Sequence, residues 1–263
     1  MQIDLKRVQE IVIAAGREEL LPRYARVART HKADGSVLTE ADLAVQARIA
    51  AELQTHWPDT VFLGEEMTAL EQQAILASDK PAWCLDPLDG TRNFASGIPY
   101  YSISLALLLA GDVAVGVVYD PMRDECFAAS RGQGAWLNNA PLIAEPSGLE
   151  LKQTTALIDF KRLEDALATR LATEIPYSSQ RSFGSVALDW CWVAAGRCHL
   201  YLHGRSNLWD YAAGQLILTE AGGFSSTLDG ESVFVRSLTP RSSVAAVDES
   251  LFRAWCDWLS VKV

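Results

Sequence analysis

The sequence predicts a mixed fold, α+β in its first half and α/β in its second. Three observations carry this. Residues 3 to about 28 and 39 to about 56 repeat apolar residues at helical spacing. The stretch "YYSISLALLLAGDVAVGVVYDP" sets two apolar runs about Ala110-Gly111-Asp112, the pattern of a hairpin. Beyond residue 142, strand-like and helix-like segments alternate.

Taken in order, the first helix places Ile3, Val8, Ile11, Val12 and Ala15 on one side, and Pro22 kinks or interrupts it. The loop "THKADGSV" follows. A second helix starts at Thr39, with Leu43, Ile49, Ala50 and Leu53 turned inward. "TVFLGEE" and "AWCLD" read as short buried strands, and "DECFAASRGQGAWLN" continues the sheet after the hairpin, its glycines marking bends or bulges. The turn residues and proline of "NNAPLIAEPSGLELKQ" mark a soft boundary, dividing the chain into an N-terminal part (1–142) and a C-terminal part (143–263). The second part reads as strand "TTALIDF", helices 162–174 and 184–195, strand 198–203, helix 210–221, strand "SSVAAVD" and a last helix 249–260.

Composition narrows the function. The 263 residues are 49% hydrophobic and 21% charged, ordinary for a soluble globular chain. A formal net charge of -10 disfavours nucleic acid and anionic membranes, while a phosphate substrate stays open where metal ions supply local positive charge. Five cysteines without a CxxC pair suit reduced core thiols in a cytoplasmic protein better than a zinc site. The N-terminus has acids from position 4 and no signal-peptide pattern, and no apolar run approaches membrane-span length.

Four segments put carboxylates where chemistry could use them. "LDPLDGT" ends a buried strand with Asp86 and Asp89. Pro87 fixes one backbone angle, so both carboxylates and the Leu88 carbonyl could face one point, an oxygen set suited to Mg2+. Gly90 and Thr91 then open a helix whose free N–H groups could receive a phosphate. "FLGEEM" places Glu65 and Glu66 after another strand, Asp210 heads the helix that ends at Gly222-Gly223, and Thr39 with Asp42 has capping-box spacing. Each is also readable as a turn or a helix cap. Together they would form a cup of carboxylates, which packing alone does not explain.

These segments together resemble the inositol monophosphatase family. The signature D-P-hydrophobic-D-G-T-x-N-F is present from Asp86 to Phe94, and W-D-x-A-A-G-x-x-I/L-x-x-E-A-G-G from Trp209 to Gly223. G-E-E matches Gly64 to Glu66, and K-x-D-G-S-x-x-T-x-A-D matches Lys32 to Asp42, in family order. The resemblance implies a layered αβαβα sandwich of the inositol monophosphatase / fructose-bisphosphatase type. It implies a Mg2+-dependent, lithium-sensitive phosphatase with two or three ions per site. Glu65, Asp86, Asp89 and the Leu88 carbonyl are the implied ligands of the catalytic metals, and Asp210 a ligand of the second; a third, weaker ion would share Glu65 and Asp86. Gly90 and Thr91 are the implied phosphate-binding backbone and water-orienting residue, Asp42 is the partner of Thr91, and Lys32 lies in the loop near the metals. Gly184, Ser185 and Val186 are implied substrate contacts, and a homodimer is expected.

The chain departs from the pattern at His203, where inositol phosphatases usually carry a substrate-binding glutamate seven residues before the motif aspartate. His203 or Arg205 there suits a more anionic or different alcohol. Inositol 1-phosphate is the first candidate substrate, beside histidinol-phosphate, a bisphosphate nucleotide and fructose bisphosphate. A reading of another class is an accessory factor that binds transcription or ribosome-maturation machinery.

Overall fold

The structure is a computed structural model that describes residues 3–26, 30–31 and 37–262. Lys32, and with it most of the loop expected near the metals, lies outside the described residues.

Helix α1 (Leu5–Ala15) starts at Asp4, whose carboxylate accepts the N–H groups of Lys6 and Arg7. It ends well before the expected residue 28, passing into a π turn (Gly16–Leu20) and a 3-10 turn (Leu21–Arg23). Pro22 stands in that last turn, and a Cβ on Gly16 would stand 2.6 Å from the Tyr119 ring, so glycine lets the chain pass the sheet this closely. Strands β1 (Thr30–His31) and β2 (Val37–Leu38) form a two-stranded ribbon. Helix α2 (Glu40–His56) buries Val45, Ile49 and Leu53. Leu43, expected inward, is 50% exposed, because it lies off the stripe those three residues define.

The first sheet follows, from β3 (Val61–Gly64) through β4 (Ala82–Asp89), β5 (Ser102–Leu109), β6 (Asp112–Asp120), β7 (Glu125–Ser130) and β8 (Gly134–Leu137) to β9 (Ala140–Leu142). Its strands lie side by side in chain order, the first pair parallel and the rest antiparallel. The hairpin turn falls where expected, with positive φ at Ala110 and Gly111. Helix α3 (Ala69–Leu76), which the sequence reading passed over, sits between β3 and β4, and the short α4 (Thr91–Ser96) follows β4. The second sheet uses β10 (Thr155–Asp159), β11 (Ser179–Arg181), β12 (Leu200–Ser206), β13 (Phe224–Ser226) and β14 (Arg241–Ala246), ordered β11-β10-β12-β14-β13. Its helices are α5 (Asp165–Thr173), α6 (Val186–Ala194), α7 (Leu208–Ala221) and α8 (Glu249–Leu259). The edge strands β11 and β13 have three residues each, too few to show a period of two.

Alternation along β4 shows how the layers stack. Trp83 and Leu85 join a core with Val8, Val12, Ile49 and Leu53 of α1 and α2. Ala82 and Cys84 join a second core with α6, α7, the second sheet and α8. A sheet buried on both faces favours apolar residues at successive positions, so β5 reads "SISLALLL", apolar throughout save for Ser102 and Ser104 at its site end. The result is an α+β sandwich of five layers: α1/α2, the first sheet, α6/α7, the second sheet and α8. Two glycines permit the central contact. A Cβ on Gly116 would lie 2.8 Å from the Ala213 carbonyl oxygen, and one on Gly214 would lie 2.6 Å from the Trp190 Cβ. Among the described residues no helix is long and apolar enough to cross a membrane. All five cysteines are buried free thiols.

Candidate active site

The acids collect where β4 ends. Asp86 and Asp89 are an odd number of residues apart and would face opposite sides of a regular strand. The β4–β5 register prevents this: Asp86 pairs with Ser104 and Asp89 with Ser102, so two residues of β4 lie opposite Ile103 alone. This bulge, containing Pro87, turns both acids toward one side. Leu88 N–H donates to Asp86 Oδ1 at 3.0 Å. Both acids are buried, 3% and 7% exposed.

Gly90 follows with φ 92°, and a Cβ there would press on Tyr100, Tyr101 and the Gly184 carbonyl. The 184–186 loop therefore lies directly over Gly90. It is tied down by Asn93, whose side-chain N–H₂ donates to the carbonyls of Tyr100 and Phe183 at 2.7 Å each. Ser185 is fully buried and caps α6. Its hydroxyl donates to Asp89 Oδ2 at 2.6 Å, and the same oxygen accepts Ala187 N–H at 2.7 Å. Val186 begins α6.

Thr91 Oγ1 lies 2.9 Å from the Leu88 carbonyl and 3.4 Å from Asp42 Oδ1. Asp42 arrives from the other side of the sheet in the expected capping box, Oδ2 accepting Thr39 N–H at 2.8 Å and the Thr39 hydroxyl at 2.6 Å. Asp210 repeats this device in α7. It is the third residue of a capping box with Asn207, whose N–H it accepts at 2.8 Å. The start of α7 is pinned beside Asp86, because the Ser104 hydroxyl donates to the Trp209 carbonyl at 3.0 Å. His203 is buried, and both of its ring nitrogens are engaged within the chain.

Glu65 leaves the end of β3 half-buried, its N–H on the Leu85 carbonyl. Two residues that the sequence reading missed shape this turn. Buried Gln72, from α3, donates to the carbonyls of Gly64 and Glu65 at 2.8 and 3.2 Å, and Gln46 Oε1 accepts Glu66 N–H at 3.4 Å. The sequence signal for α3 was the Thr68–Glu71 capping-box spacing, which the structure forms.

Electrostatics binds these pieces into one pocket. Burial, then repulsion from Glu65, Asp89 and Asp210, holds Asp86 well above the usual carboxylate range. Asp210 is raised by burial, then by Asp89 and Glu65, while Arg162 pulls it down. Burial also pushes Asp89 up to about 6 against its hydrogen bonds from Ser185 and the α6 amides. Asp42 reaches about 6 through burial, with Glu66 and Glu65 adding to the rise. Groups that raise one another in this way share a field that a cation would relieve. Among the described residues no three His, Cys, Asp or Glu side chains converge tightly enough to close a metal cage alone. That fits an ion such as Mg2+, which takes one or two carboxylates and keeps waters or substrate oxygens for the rest.

A two-sheet sandwich with this acid pocket against a Gly-Thr helix start defines a class: phosphoric monoester hydrolases that act on small phosphate substrates with the help of metal ions. The model of the inositol monophosphatase family matches residues 4–255. Inositol monophosphatase 1 of Solanum lycopersicum is 37% identical over 238 residues, covering 88% of this chain and 85% of the relative. The Nus factor SuhB of Pasteurella multocida is 36% identical over 236 residues, covering 86% and 83%. The solved structure of the Thermotoga maritima IMPase superposes with a TM-score of 0.83 at 27% identity, covering 97% of this chain and 98% of that one. The chain belongs to the inositol monophosphatase family.

Proposed function

We propose that the chain hydrolyses a small phosphate monoester with two or three Mg2+ ions, inositol 1-phosphate being the first substrate to test. The observation that carries the reading is the Thr91 hydroxyl set between Asp42 and the Leu88 carbonyl, next to the buried acids Asp86 and Asp89, with the start of α7 and its Asp210 pinned beside Asp86 through Ser104. In this reading residues 1–142 supply most of the metal-facing groups and residues 143–263 complete the substrate site. Glu65, Asp86, Asp89, Asp210 and the Leu88 carbonyl would hold the ions, whose chemistry is to stabilise phosphoryl charge and lower the pKa of the attacking water. Thr91 orients that water. Asp42, held near 6, is matched to take its proton through Thr91 close to neutral pH. The backbone at Gly90 and Thr91 receives the phosphate, and the Gly184–Val186 loop, fixed over Gly90 by Asn93, borders the alcohol.

Lithium competing for an ion site, a homodimer and a cytoplasmic location belong to the same reading; the five buried, unbridged thiols support the last. The test is phosphate release from inositol 1-phosphate, histidinol-phosphate, a 3',5'-bisphosphate nucleotide and fructose bisphosphate, with Mg2+ and with chelator. Mg2+-dependent turnover of at least one supports the reading, and none with any ester sinks it. A second reading, an accessory factor on transcription or ribosome-maturation machinery, is favoured by the relative named Nus factor. Partners retained by Asp89→Asn protein, beside negligible turnover in the parent, would favour it.

A further inference from the structure

Asp159, the last residue of β10, and His203 of β12 form the final paired position of these two parallel neighbouring strands. His203 is 4% exposed. Its Nδ1 accepts the Arg205 N–H at 3.2 Å, which leaves the ring proton on Nε2, 3.3 Å from Asp159 Oδ2. Both nitrogens are thus spent inside the chain, and the residue expected to touch substrate is a clasp between two strands. Asp159 also meets the Lys161 ammonium at 3.4 Å. Gly204 seals the clasp, because a Cβ there would collide with the Arg162 carbonyl oxygen.

The clasp fixes where two cations stand. Both are exposed: Arg162 closes the 3-10 turn that follows β10 (Phe160–Arg162), and Arg205 stands in the last part of β12, two residues past its final pair with β10. Arg205 is five residues before Asp210, and the Arg162 charge is near enough to the Asp210 carboxylate to pull its pKa down. Neither has an ion pair among the described residues. Many of the other arginines are spent: Arg7, Arg17, Arg48, Arg131, Arg197 and Arg253 each meet a carboxylate, and Arg236 is bound to three backbone carbonyls. In a chain of net charge -10, two uncommitted guanidinium groups beside an acid pocket are a local reversal of sign. Their planar forks match phosphate and carboxylate oxygens.

We propose that Arg162 and Arg205 form an anion subsite on the alcohol side of the cleft, so that the preferred substrate is a phosphomonoester whose alcohol carries a second anionic group. This rests on the phosphatase reading and narrows it. His203 and Asp159 are positioning residues for the subsite. A neutral polyol leaves the subsite unused, and an alcohol bearing an ammonium group is repelled.

The experiment is a charge series with Mg2+: histidinol-phosphate (cationic alcohol), inositol 1-phosphate (neutral), and two anionic arms, 3-phosphoglycerate for a carboxylate and fructose 1,6-bisphosphate for a phosphate. The expected kcat/KM is about tenfold or more higher for at least one anionic arm than for the neutral ester, and lowest for the cationic one. Whichever arm leads identifies the second group. Replacing both arginines (Arg162→Gln with Arg205→Gln) should remove that preference mainly through KM of the anionic substrate, and raised salt should mimic the change in the parent. Turnover without charge preference, or a preference that survives in the double variant, overturns this inference alone. No phosphate release from any member overturns the phosphatase reading, and this inference with it.

Discussion

Asp89→Asn tests whether the acid pocket is a folding burden that a cation relieves. At pH 8 the Asp89 carboxyl is charged in the folded and unfolded chain alike. Its folded pKa is raised to about 6, so holding that charge in the metal-free fold costs stability. Two units above the ordinary value near 4 correspond to about 3 kcal/mol. The asparagine Oδ1 can still accept from the Ser185 hydroxyl and the Ala187 N–H, which now meet Asp89 Oδ2 at 2.6 and 2.7 Å. The pKa of about 6 already includes the lowering by those two bonds, so the cost of about 3 kcal/mol is a net one. The metal-free variant should therefore be as stable as the parent or up to about 3 kcal/mol more stable, while turnover falls by orders of magnitude. The assay is urea denaturation at pH 8, in chelator and in Mg2+, for both proteins. Mg2+ should stabilise the parent clearly and the variant much less. A metal-free variant weaker than the parent by more than about 2 kcal/mol would refute the reasoning, making Asp89 a structural anchor rather than an acid held under repulsion.

Three further outcomes follow from local geometry. Gln72→Ala removes both bonds to the turn that carries Glu65, so the Mg2+ concentration that half-stabilises the protein in a thermal melt should rise several-fold, and an unshifted titration would count against Gln72. Asp248 caps α8, and although burial raises its pKa, bonds from Leu251, Ser147 and Ser250 bring it down to about 2. Because the folded pKa is depressed, its contribution of about 1–2 kcal/mol is present above pH 4 and lost as pH falls toward 2; Asp248→Asn should cost that much at pH 7 and little at pH 2.5, and an equal loss at both would contradict the assignment. Gly116→Ala would drive a Cβ into the Ala213 backbone at 2.8 Å and should lower stability by about 1–3 kcal/mol in urea denaturation; a neutral result would mean that α7 can move off the sheet.

The sequence showed those parts whose signal is local. The capped start of α2 at Thr39, the hairpin at Ala110-Gly111 and the glycine stop of α7 are short-range chemistry, and each appears where the pattern put it. What it hid depends on partners distant in the chain. The need for glycine at position 16 comes from the Tyr119 ring, 103 positions further along the chain. The clasped state of His203 depends on Asp159 of another strand, so the ring that looked like a substrate contact was already committed. Gln72 could be assigned no role before α3 was seen to lie against the Gly64–Glu65 turn.

The capping readings of the acids and the catalytic ones prove to be compatible. Asp42 Oδ2 closes the capping box of α2 while its Oδ1 faces Thr91. Asp210 closes the box of α7, Asp89 receives the first amides of α6, and Asp86 accepts the N–H of Leu88. Each acid has part of its charge held by backbone donors, three of them at helix N-termini whose dipoles favour a negative group. This offsets part of the cost of crowding carboxylates before any cation arrives. It also explains why the acids lie so far apart in sequence, because each must sit where its own helix or bulge supplies the donors. A substitution that weakens one of these caps, such as Thr39→Ala beneath Asp42, should therefore cost both stability and turnover. Turnover left unchanged by the loss of that cap would separate the two roles.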